Sequence, residues 1–331
     1  MKWHIIKQKQ TVCVKFTFPK KSDGDHLFYH HEKVLNTDNV KFTYRCMRRL
    51  TMKFGASTFI WVSPFGDDSL DLFQKVGEMG FDTLEVCVES PETINVEHIL
   101  TAAKTAGVDV IICGAFGPTR DISSTDAAVR EEGLNYIKTC IDIAFQVGSK
   151  LVSGPMYAAV GKTNLLTPDE KQKQWDFAVK NMKEAALYAQ QFGVKLAFEP
   201  LNRFETDMIN TVAQGLDLIG QIDMENVGML IDTFHMNIEE KNIADAIRLA
   251  GDRVFNFHAC ANDRGTPGED HINWKEVKQA LQDIQYDGHV VIEAFNSNIT
   301  EIAKAVALWR PLASSPDALA SNGIKFLKEL F

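Results

Sequence analysis

Four ionisable side chains stand at the ends of four successive β-rich runs in the C-terminal half of the chain. Glu199 closes the run AFEP, Asp232 lies in LIDTFH, His258 in NFHAC and Glu293 in VIEAF. Their separations of 33, 26 and 35 residues each match about one strand–helix unit. Three carboxylates and an imidazole that converge on one point repel one another unless a cation neutralises them. The pattern therefore predicts a divalent metal site.

The donor set is rich in oxygen, which favours Mn²⁺, Mg²⁺ or Co²⁺ over a structural zinc site built from thiolates. Each residue taken alone has a simpler interpretation. A glutamate that closes a strand is commonly a solvated rim residue, and a lone histidine in an apolar strand is commonly a satisfied core residue. Four successive strands with an ionisable group at the same level favour the metal site.

Three further polar residues follow these positions closely. Glu205 comes six residues after Glu199, His235 three after Asp232, and Arg264 six after His258, in segments predicted to be loops. A carboxylate, an imidazole and a guanidinium beside a metal can hydrogen-bond a polyhydroxylated substrate. Each residue also has a simpler interpretation. Arg264 could only balance the charge of nearby acidic residues, and Glu205 could only be a solvent-exposed residue of its loop.

The elements that must position these groups form a regular series from Met52 onward. Eight β-rich runs predict strands over residues 53–60, 83–88, 109–116, 150–154, 194–199, 227–232, 254–259 and 289–295. Amphipathic stretches predict helices that begin near residues 69, 96, 125, 168, 210, 243 and 274, with a final pair over 300–310 and 316–330. Several of these helices end in a glycine just before the next strand, as is typical of helix C-termini.

Eight apolar strands that alternate with helices predict a parallel sheet closed into a (β/α)₈ TIM barrel. In such a barrel the catalytic groups come from the C-terminal ends of several strands, where the four ionisable residues lie. A doubly wound open sheet is the structural alternative. It is disfavoured because no G-x-G-x-x-G turn follows the first predicted strand.

The charge of the chain changes at Met52. The whole chain has a net charge of −9, but residues 1–51 carry +7 and residues 52–331 carry −16. Residues 1–51 contain no apolar run long enough for a signal peptide, and the strand-like VCVKFTF (12–18) has no hairpin partner after it. We expect residues 1–51 to be a weakly structured N-terminal extension outside the fold, with residues 52–331 as the catalytic domain. A basic binding module is the alternative.

Composition excludes several classes of protein. Apolar residues make up 45% and charged residues 24%, as in an ordinary globular protein. No apolar run approaches the ~18–20 residues of a membrane span. The net negative charge of the chain provides no positive electrostatic field that would attract nucleic acid or an anionic membrane. The six cysteines form no C-x-x-C pair, so we expect free thiols and a cytoplasmic protein.

Five motifs resemble the ketose 3-epimerase family, the D-tagatose, D-psicose (allulose) and L-ribulose 3-epimerases among the xylose isomerase-like barrels. They are FEPLNRFETDMINT (198–211), LIDTFHMNIEE (230–240), FHACANDRGTPGEDHINW (257–274), VVIEAF (290–295) and WRPLASSPDALASNGIKFL (309–327). The resemblance covers about residues 52–330 and does not extend to residues 1–51.

The resemblance implies a role for each candidate residue. It implies metal ligation by Glu199, Asp232, His258 and Glu293, acid/base catalysis by Glu199 and Glu293, and sugar contacts by Glu205, His235 and Arg264. It further implies epimerisation of a free ketose at C3 through a metal-bound enediolate, with Mn²⁺ as the preferred cation, in a homodimer or homotetramer.

Two local features qualify the resemblance. Many family members carry an acidic residue three positions after the metal-binding histidine, where this chain has Ala261. We expect this change to alter substrate preference rather than abolish catalysis. Trp61 and Phe65 are candidates for an apolar wall against the far end of the sugar, with surface-loop packing as the alternative.

Rival functions use similar barrels. A 1,2-aldose–ketose, hydroxypyruvate-type or inosose-type isomerase or dehydratase would use the same metal site. An endonuclease IV-type enzyme would need a trinuclear zinc site with more histidines, whereas residues 52–331 contain five histidines at a net charge of −16. A non-enzymatic sugar-binding protein would need a broken ligand set, and this set is intact.

Overall fold

The computed structural model describes residues 52–331 and, before them, the backbone of three short strands. These are β1 (His4–Gln8), β2 (Thr11–Lys15) and β3 (Glu32–Lys33), which form an antiparallel sheet in the order β1-β2-β3. Strand β2 pairs with β1, which precedes it in the chain, and with β3, which follows it, whereas the sequence prediction found no hairpin partner after β2. The prediction that the rest of residues 1–51 is weakly structured lies outside the described residues.

Residues 52–331 form a compact unit of their own that contains a closed barrel of eight strands. The strands are β4 (Lys53–Ser57), β5 (Thr83–Val88), β6 (Asp109–Gly114), β7 (Leu151–Gly154), β8 (Lys195–Phe198), β9 (Val227–Asp232), β10 (Val254–His258) and β11 (His289–Ile292). Every neighbouring pair is parallel, and β11 closes the ring against β4. The predicted (β/α)₈ TIM barrel is confirmed.

Ten α-helices accompany the strands in the described part of the chain. They are α1 (Asp71–Met79), α2 (Val96–Ala106), α3 (Ala127–Gln146), α4 (Pro168–Gln191), α5 (Val212–Ile222), α6 (Thr233–Glu239), α7 (Ile243–Ala250), α8 (Trp274–Asp283), α9 (Thr300–Ala305) and α10 (Pro316–Leu330). The sequence signals locate several starts well. For example, α4 begins with a capping box between Thr167 and Glu170 and has Pro168 in its first turn.

The prediction that His235 lies in a loop is wrong, because the residue lies in α6. This helix has seven residues and begins directly at the end of β9. The Asp232 side chain caps it, with Oδ1 accepting the backbone N–H of Phe234 at 2.7 Å. A helix this short carries too few residues for a recognisable 3.6-residue period.

The barrel strands are buried on both faces, which explains their continuous apolar sequences. All six residues of β5 and all six of β9 are buried. Four cysteines, Cys87, Cys113, Cys140 and Cys260, are free and buried, as predicted, whereas Cys13 and Cys46 lie outside the described residues. None of the helices that the structure describes is long and apolar enough to cross a membrane.

Candidate metal and substrate site

The four ionisable residues predicted from the strand ends meet at one mouth of the barrel. Asp232 and His258 are the last residues of β9 and β10, and Glu199 and Glu293 follow β8 and β11 directly. One donor atom from each lies within 4.8 Å of the corresponding atom of every other, and all four side chains are buried. Because parallel strands present their carboxyl ends at one rim, four separate units deliver these groups to one point.

The cluster fits a divalent metal ion. His258 Nδ1 lies 3.7 Å from Glu293 Oε2 and 3.9 Å from Asp232 Oδ2. Both His258 Nδ1 and Glu199 Oε1 are buried, and neither has a hydrogen-bond partner among the described residues. Unpaired lone pairs in a buried site are costly, and a cation would satisfy them. Three carboxylates and one imidazole suit a hard or borderline divalent cation.

The pKa shifts within the cluster also favour a bound cation. Burial, with the charge of Glu293 added, raises the pKa of Glu199 and raises the pKa of Asp232 to about 6. Burial alone would raise the pKa of Glu293. The positive charges of His258 and Arg264 have a larger effect and hold the pKa of that carboxyl below its usual value. Three ionised carboxylates at this spacing therefore call for a positive charge beyond that of the protein.

Arg264 connects the cluster to the neighbouring polar residues. Its Nη1 donates to Glu293 Oε2 at 3.1 Å, and its Nη2 donates to Glu205 Oε1 at 3.1 Å. The guanidinium lies 4.1 Å from the ring centroid of Phe234 and 4.7 Å from that of Phe295. Burial lowers the pKa of Arg264, but Glu205 and Glu293 reverse this effect and raise it. The guanidinium is thus fixed as a cation at the edge of the cluster.

His235 presents a hydrogen-bond donor to the same space. Its Nδ1 accepts the backbone N–H of Asn202 at 3.0 Å, and the Asn202 side-chain amide lies 2.9 Å away. A backbone N–H can only donate, and this contact is shorter than the 3.5 Å between Arg264 Nη2 and His235 Nε2. We therefore assign the ring proton to Nε2, which lies 3.6 Å from Glu199 Oε1. Burial and the charge of Arg264 lower the pKa of His235 well below its usual value, which keeps the ring neutral.

A cavity of about 520 Å³ opens beside the cluster. The predicted residues that line one side of it are Glu199, Glu205, His235, Arg264 and Glu293. An apolar wall formed by Phe59, Phe116 and Phe295 also lines the cavity, together with the carboxylate of Glu89. This volume falls within the range of small-molecule sites, about 300–1,000 Å³. Two of the predicted metal ligands and all three predicted sugar-contacting residues therefore line one cavity.

Trp61 and Phe65 do not form the apolar wall. Trp61 Nε1 donates to Asp317 Oδ1 at 2.6 Å, and Phe65 is buried in the hydrophobic core. Neither side chain lines the cavity as residues 52–331 define it. The alternative, surface-loop packing, fits Trp61, whereas Phe65 packs in the core. Phe59 precedes Trp61 by two residues, so the first predicted strand points to the correct segment but not to the correct side chain.

Three polar residues that contact the cluster or line the cavity were missed from the sequence. Glu85 lies inside the barrel with Oε1 3.0 Å from His258 Nε2, and Cys260 Sγ donates to Asp232 Oδ2 at 3.1 Å. Glu89 Oε1 accepts from the Ser63 hydroxyl at 2.5 Å. A charged residue within the apolar run TLEVCV (83–88) was the available signal for Glu85.

Ala261 is buried, and its contribution to the site is through the backbone. Its carbonyl accepts the N–H of Arg264 at 3.0 Å, in a turn where Arg264 adopts a left-handed conformation with φ of 65°. The turn directs the guanidinium back over the cluster. An acidic side chain is not required at position 261 for this geometry.

Comparisons with known proteins agree with this geometry. The family model described as xylose isomerase-like TIM barrel matches residues 73–330. A probable ketose 3-epimerase of Synechocystis sp. is 36% identical over 281 residues, which cover 85% of this chain and 97% of that protein. A D-psicose 3-epimerase of Ruminiclostridium cellulolyticum is 31% identical, covering 80% of this chain and 92% of that protein.

A solved structure leads to the same family. The crystal structure of a D-allulose 3-epimerase from Methylomonas sp. superimposes with a TM-score of 0.80 at 26% identity, covering 85% of this chain and 98% of that chain. The resemblance seen in the motifs is thereby confirmed. The chain belongs to the xylose isomerase-like TIM barrel family and, within it, to the ketose 3-epimerases, which are carbohydrate isomerases.

Proposed function

We propose that this protein epimerises free ketoses at C3 with the help of a divalent cation. Glu199, Asp232, His258 and Glu293 would hold that cation, with Mn²⁺ as the first candidate and Co²⁺ or Mg²⁺ as the others. The observation that carries the proposal is the four-donor cluster, which opens into a cavity of suitable size for a monosaccharide. When bound, the cation supplies Lewis-acid polarisation of the sugar carbonyl.

Glu199 and Glu293 are the proposed acid/base pair. They follow β8 and β11, the first and last of the four consecutive strands that supply the cluster, so they approach its centre from separate sides. One carboxylate removes the proton at C3 and leaves an enediolate, and the other returns a proton to the opposite face. Inversion needs two such groups, because a single base tends to return the proton to the face it left.

The neighbouring polar residues are suited to orient the sugar. His235 offers Nε2–H, Arg264 offers its guanidinium, and Glu205 is held in place by Arg264 and by the Asn202 side-chain amide at 2.9 Å. Donors and acceptors fixed in this way orient hydroxyl groups without moving when the substrate binds. The phenylalanines exclude water from the apolar side of the chamber.

Glu89 is proposed to meet the hydroxyls at the other end of the sugar. It follows β5, which lies in the half of the barrel that does not supply the four-donor cluster. Its Oε2 is buried and has no hydrogen-bond partner within the described residues. That oxygen is free to accept a hydrogen bond from a sugar hydroxyl, whereas a phosphorylated sugar would bring a repelling negative charge.

The test is incubation with D-fructose, D-tagatose and L-ribulose in deuterated water, with Mn²⁺, Co²⁺ or Mg²⁺ added. Product NMR should show deuterium at C3 and the C3 epimer of the substrate. Label at C1 or C2 without exchange at C3 would overturn epimerisation and indicate a 1,2-aldose–ketose isomerase on the same site. Phosphorylated ketoses in the same panel should turn over more slowly than free ones.

The organisation of the chain is part of the proposal. We propose that residues 52–331 contain the whole catalytic unit, because every residue of the site and the matched range 73–330 lie within them. The active form is proposed to be a homodimer or homotetramer, which rests on family resemblance. Light scattering of the purified protein would give the number of subunits, and a monomer at working concentration would contradict this part.

A further inference from the structure

A buried carboxylate lies on the far side of His258 from the candidate cation site. Glu85 is the third residue of β5, is fully buried, and reaches His258 from a strand three positions away around the barrel. Its Oε1 and Oε2 lie 3.0 and 3.2 Å from His258 Nε2. The contact therefore crosses the interior of the barrel rather than joining neighbouring strands.

The hydrogen bonds of Glu85 determine which nitrogen of His258 is protonated. A carboxylate only accepts, so His258 Nε2 carries a proton and donates it to Glu85. The nitrogen left to offer a lone pair is Nδ1, which lies on the other edge of the ring. Nδ1 is also the atom that faces Asp232 and Glu293 and has no partner among the residues described.

We propose that Glu85 is a positioning residue that holds His258 in the Nε2–H tautomer with Nδ1 aimed at the cation. A hydrogen bond from the distal nitrogen of a ligating histidine to a carboxylate fixes the ring and increases the basicity of the ligating nitrogen. The inference rests on the proposed cation, and it extends the site by one residue that makes no contact with cation or sugar.

Glu85 is itself held in place. The Asn256 side-chain amide donates to Glu85 Oε2 at 3.0 Å and to Ser153 Oγ at 3.0 Å. Asn256 and His258 are two residues apart on β10, so their side chains point to the same face of the strand. Both donors to Glu85 thus come from one strand. An aliphatic side chain would fill this interior position without the cost of burying a charge, so the carboxylate contributes orientation rather than packing.

The test compares Glu85→Gln with wild type and with Thr83→Val. Thr83 lies two residues earlier on the same strand face, is fully buried, and pairs through its hydroxyl with His289 Nδ1 at 3.1 Å. Thr83→Val therefore removes a partly buried hydrogen bond to a different histidine. Mn²⁺ affinity is measured by titration calorimetry, and circular dichroism checks that each variant is folded.

Glu85→Gln should weaken Mn²⁺ binding about 10- to 100-fold, the usual effect of losing such a hydrogen bond to a ligand. Thr83→Val should bind Mn²⁺ as wild type does, even if its melting temperature falls. A folded Glu85→Gln protein with wild-type Mn²⁺ affinity would overturn the proposal. Equal weakening in both variants would also overturn it, because a general loss of packing would then be the cause.

A measurement on the wild type keeps the proposal testable if Glu85→Gln does not fold. Two-bond ¹⁵N–¹H NMR of histidine-labelled protein, recorded without metal and with Mg²⁺, distinguishes the two ring nitrogens. His258 should show a protonated Nε2 in both states and a Mg²⁺-dependent shift at Nδ1. A His258 with its proton on Nδ1 in the Mg²⁺ form would refute the assignment.

These readouts are independent of turnover. If C3 exchange is absent from every ketose while Mn²⁺ affinity and the tautomer behave as expected, the proposed reaction fails and the role of Glu85 stands. If C3 exchange occurs while Glu85→Gln binds Mn²⁺ normally, the role of Glu85 fails and the reaction stands.

Discussion

The two glutamates at the rim of the barrel differ in their affinity for protons. Burial and the charge of Glu293 raise the pKa of Glu199, whereas His258 and Arg264 overcome the effect of burial and hold the pKa of Glu293 low. Two carboxyl groups at one site whose pKa values are moved in opposite directions are suited to the acid and base roles that we propose for them. The protein thus creates this asymmetry from its own charges.

Replacing Glu293 by Gln should abolish turnover, because the amide removes both a proposed base and a negative charge from the cluster. Loss of an acid/base group alone lowers kcat about 10²- to 10⁴-fold. The measurement is the rate of C3 deuterium exchange in a saturating ketose. Glu301→Gln, at an exposed position of α9, is the matched control. Retained activity in Glu293→Gln would refute its assigned role.

Binding of the cation should weaken as the pH falls through about 6. Burial and Glu293 raise the pKa of Asp232 to about 6, so below this pH a proton occupies the carboxylate that the cation needs. Because protons compete with the cation, affinity should rise with pH as Asp232 ionises. Calorimetric titration with Mn²⁺ from pH 5 to 8, in two buffers of different ionisation enthalpy, would report the affinity and the protons released. An affinity independent of pH below 6 would contradict this expectation.

Among the elements, the junction between β7 and β8 supports the position of Glu199. Gly154 ends β7 with φ of 120°, and a Cβ atom added there would lie 2.6 Å from the carbonyl oxygen of Gly114. The carbonyl of Gly154 accepts the backbone N–H of Glu199 at 3.2 Å. Close approach of β7 to β6 at this point therefore depends on the absence of a side chain at Gly154.

Gly154→Ala should destabilise the protein by about 1–3 kcal/mol from backbone strain, with the backbone contact adding to this loss. It should also weaken Mn²⁺ binding, because a shift of β7 moves Glu199. Thermal unfolding and calorimetric titration are the measurements. Gly220→Ala, in α5 with open space around the glycine, is the control and should not lose stability. Equal stability of the two variants would show that the strands adjust without strain.

The strands and most helix starts could be predicted from local patterns, because each β-rich run and each helix cap depends on a few adjacent residues. The same patterns place four rim residues at one level. The role of Glu85 could not be predicted in this way, since its partner His258 is 173 residues distant and reaches it across the barrel. The apolar wall was also beyond local patterns, because the turn of the chain after β4 decides which aromatic side chain faces the cavity.

For the whole molecule, the division of charge at Met52 leads to a direct test. A protein that starts at Met52 should fold and should catalyse C3 exchange with the same kcat/KM as the full chain, because the described site lies entirely within residues 52–331. Steady-state kinetics and thermal unfolding of both proteins are the measurements. A truncated protein that is inactive or unfolded would assign residues 1–51 to the catalytic unit.

Asp232 joins two tasks that are usually separate. One of its oxygens caps α6 through Phe234, and the other lies in the cluster, 3.9 Å from His258 Nδ1. The helix that it caps carries His235, the proposed donor to the sugar. One side chain thus serves both the proposed cation and the start of the helix that carries His235.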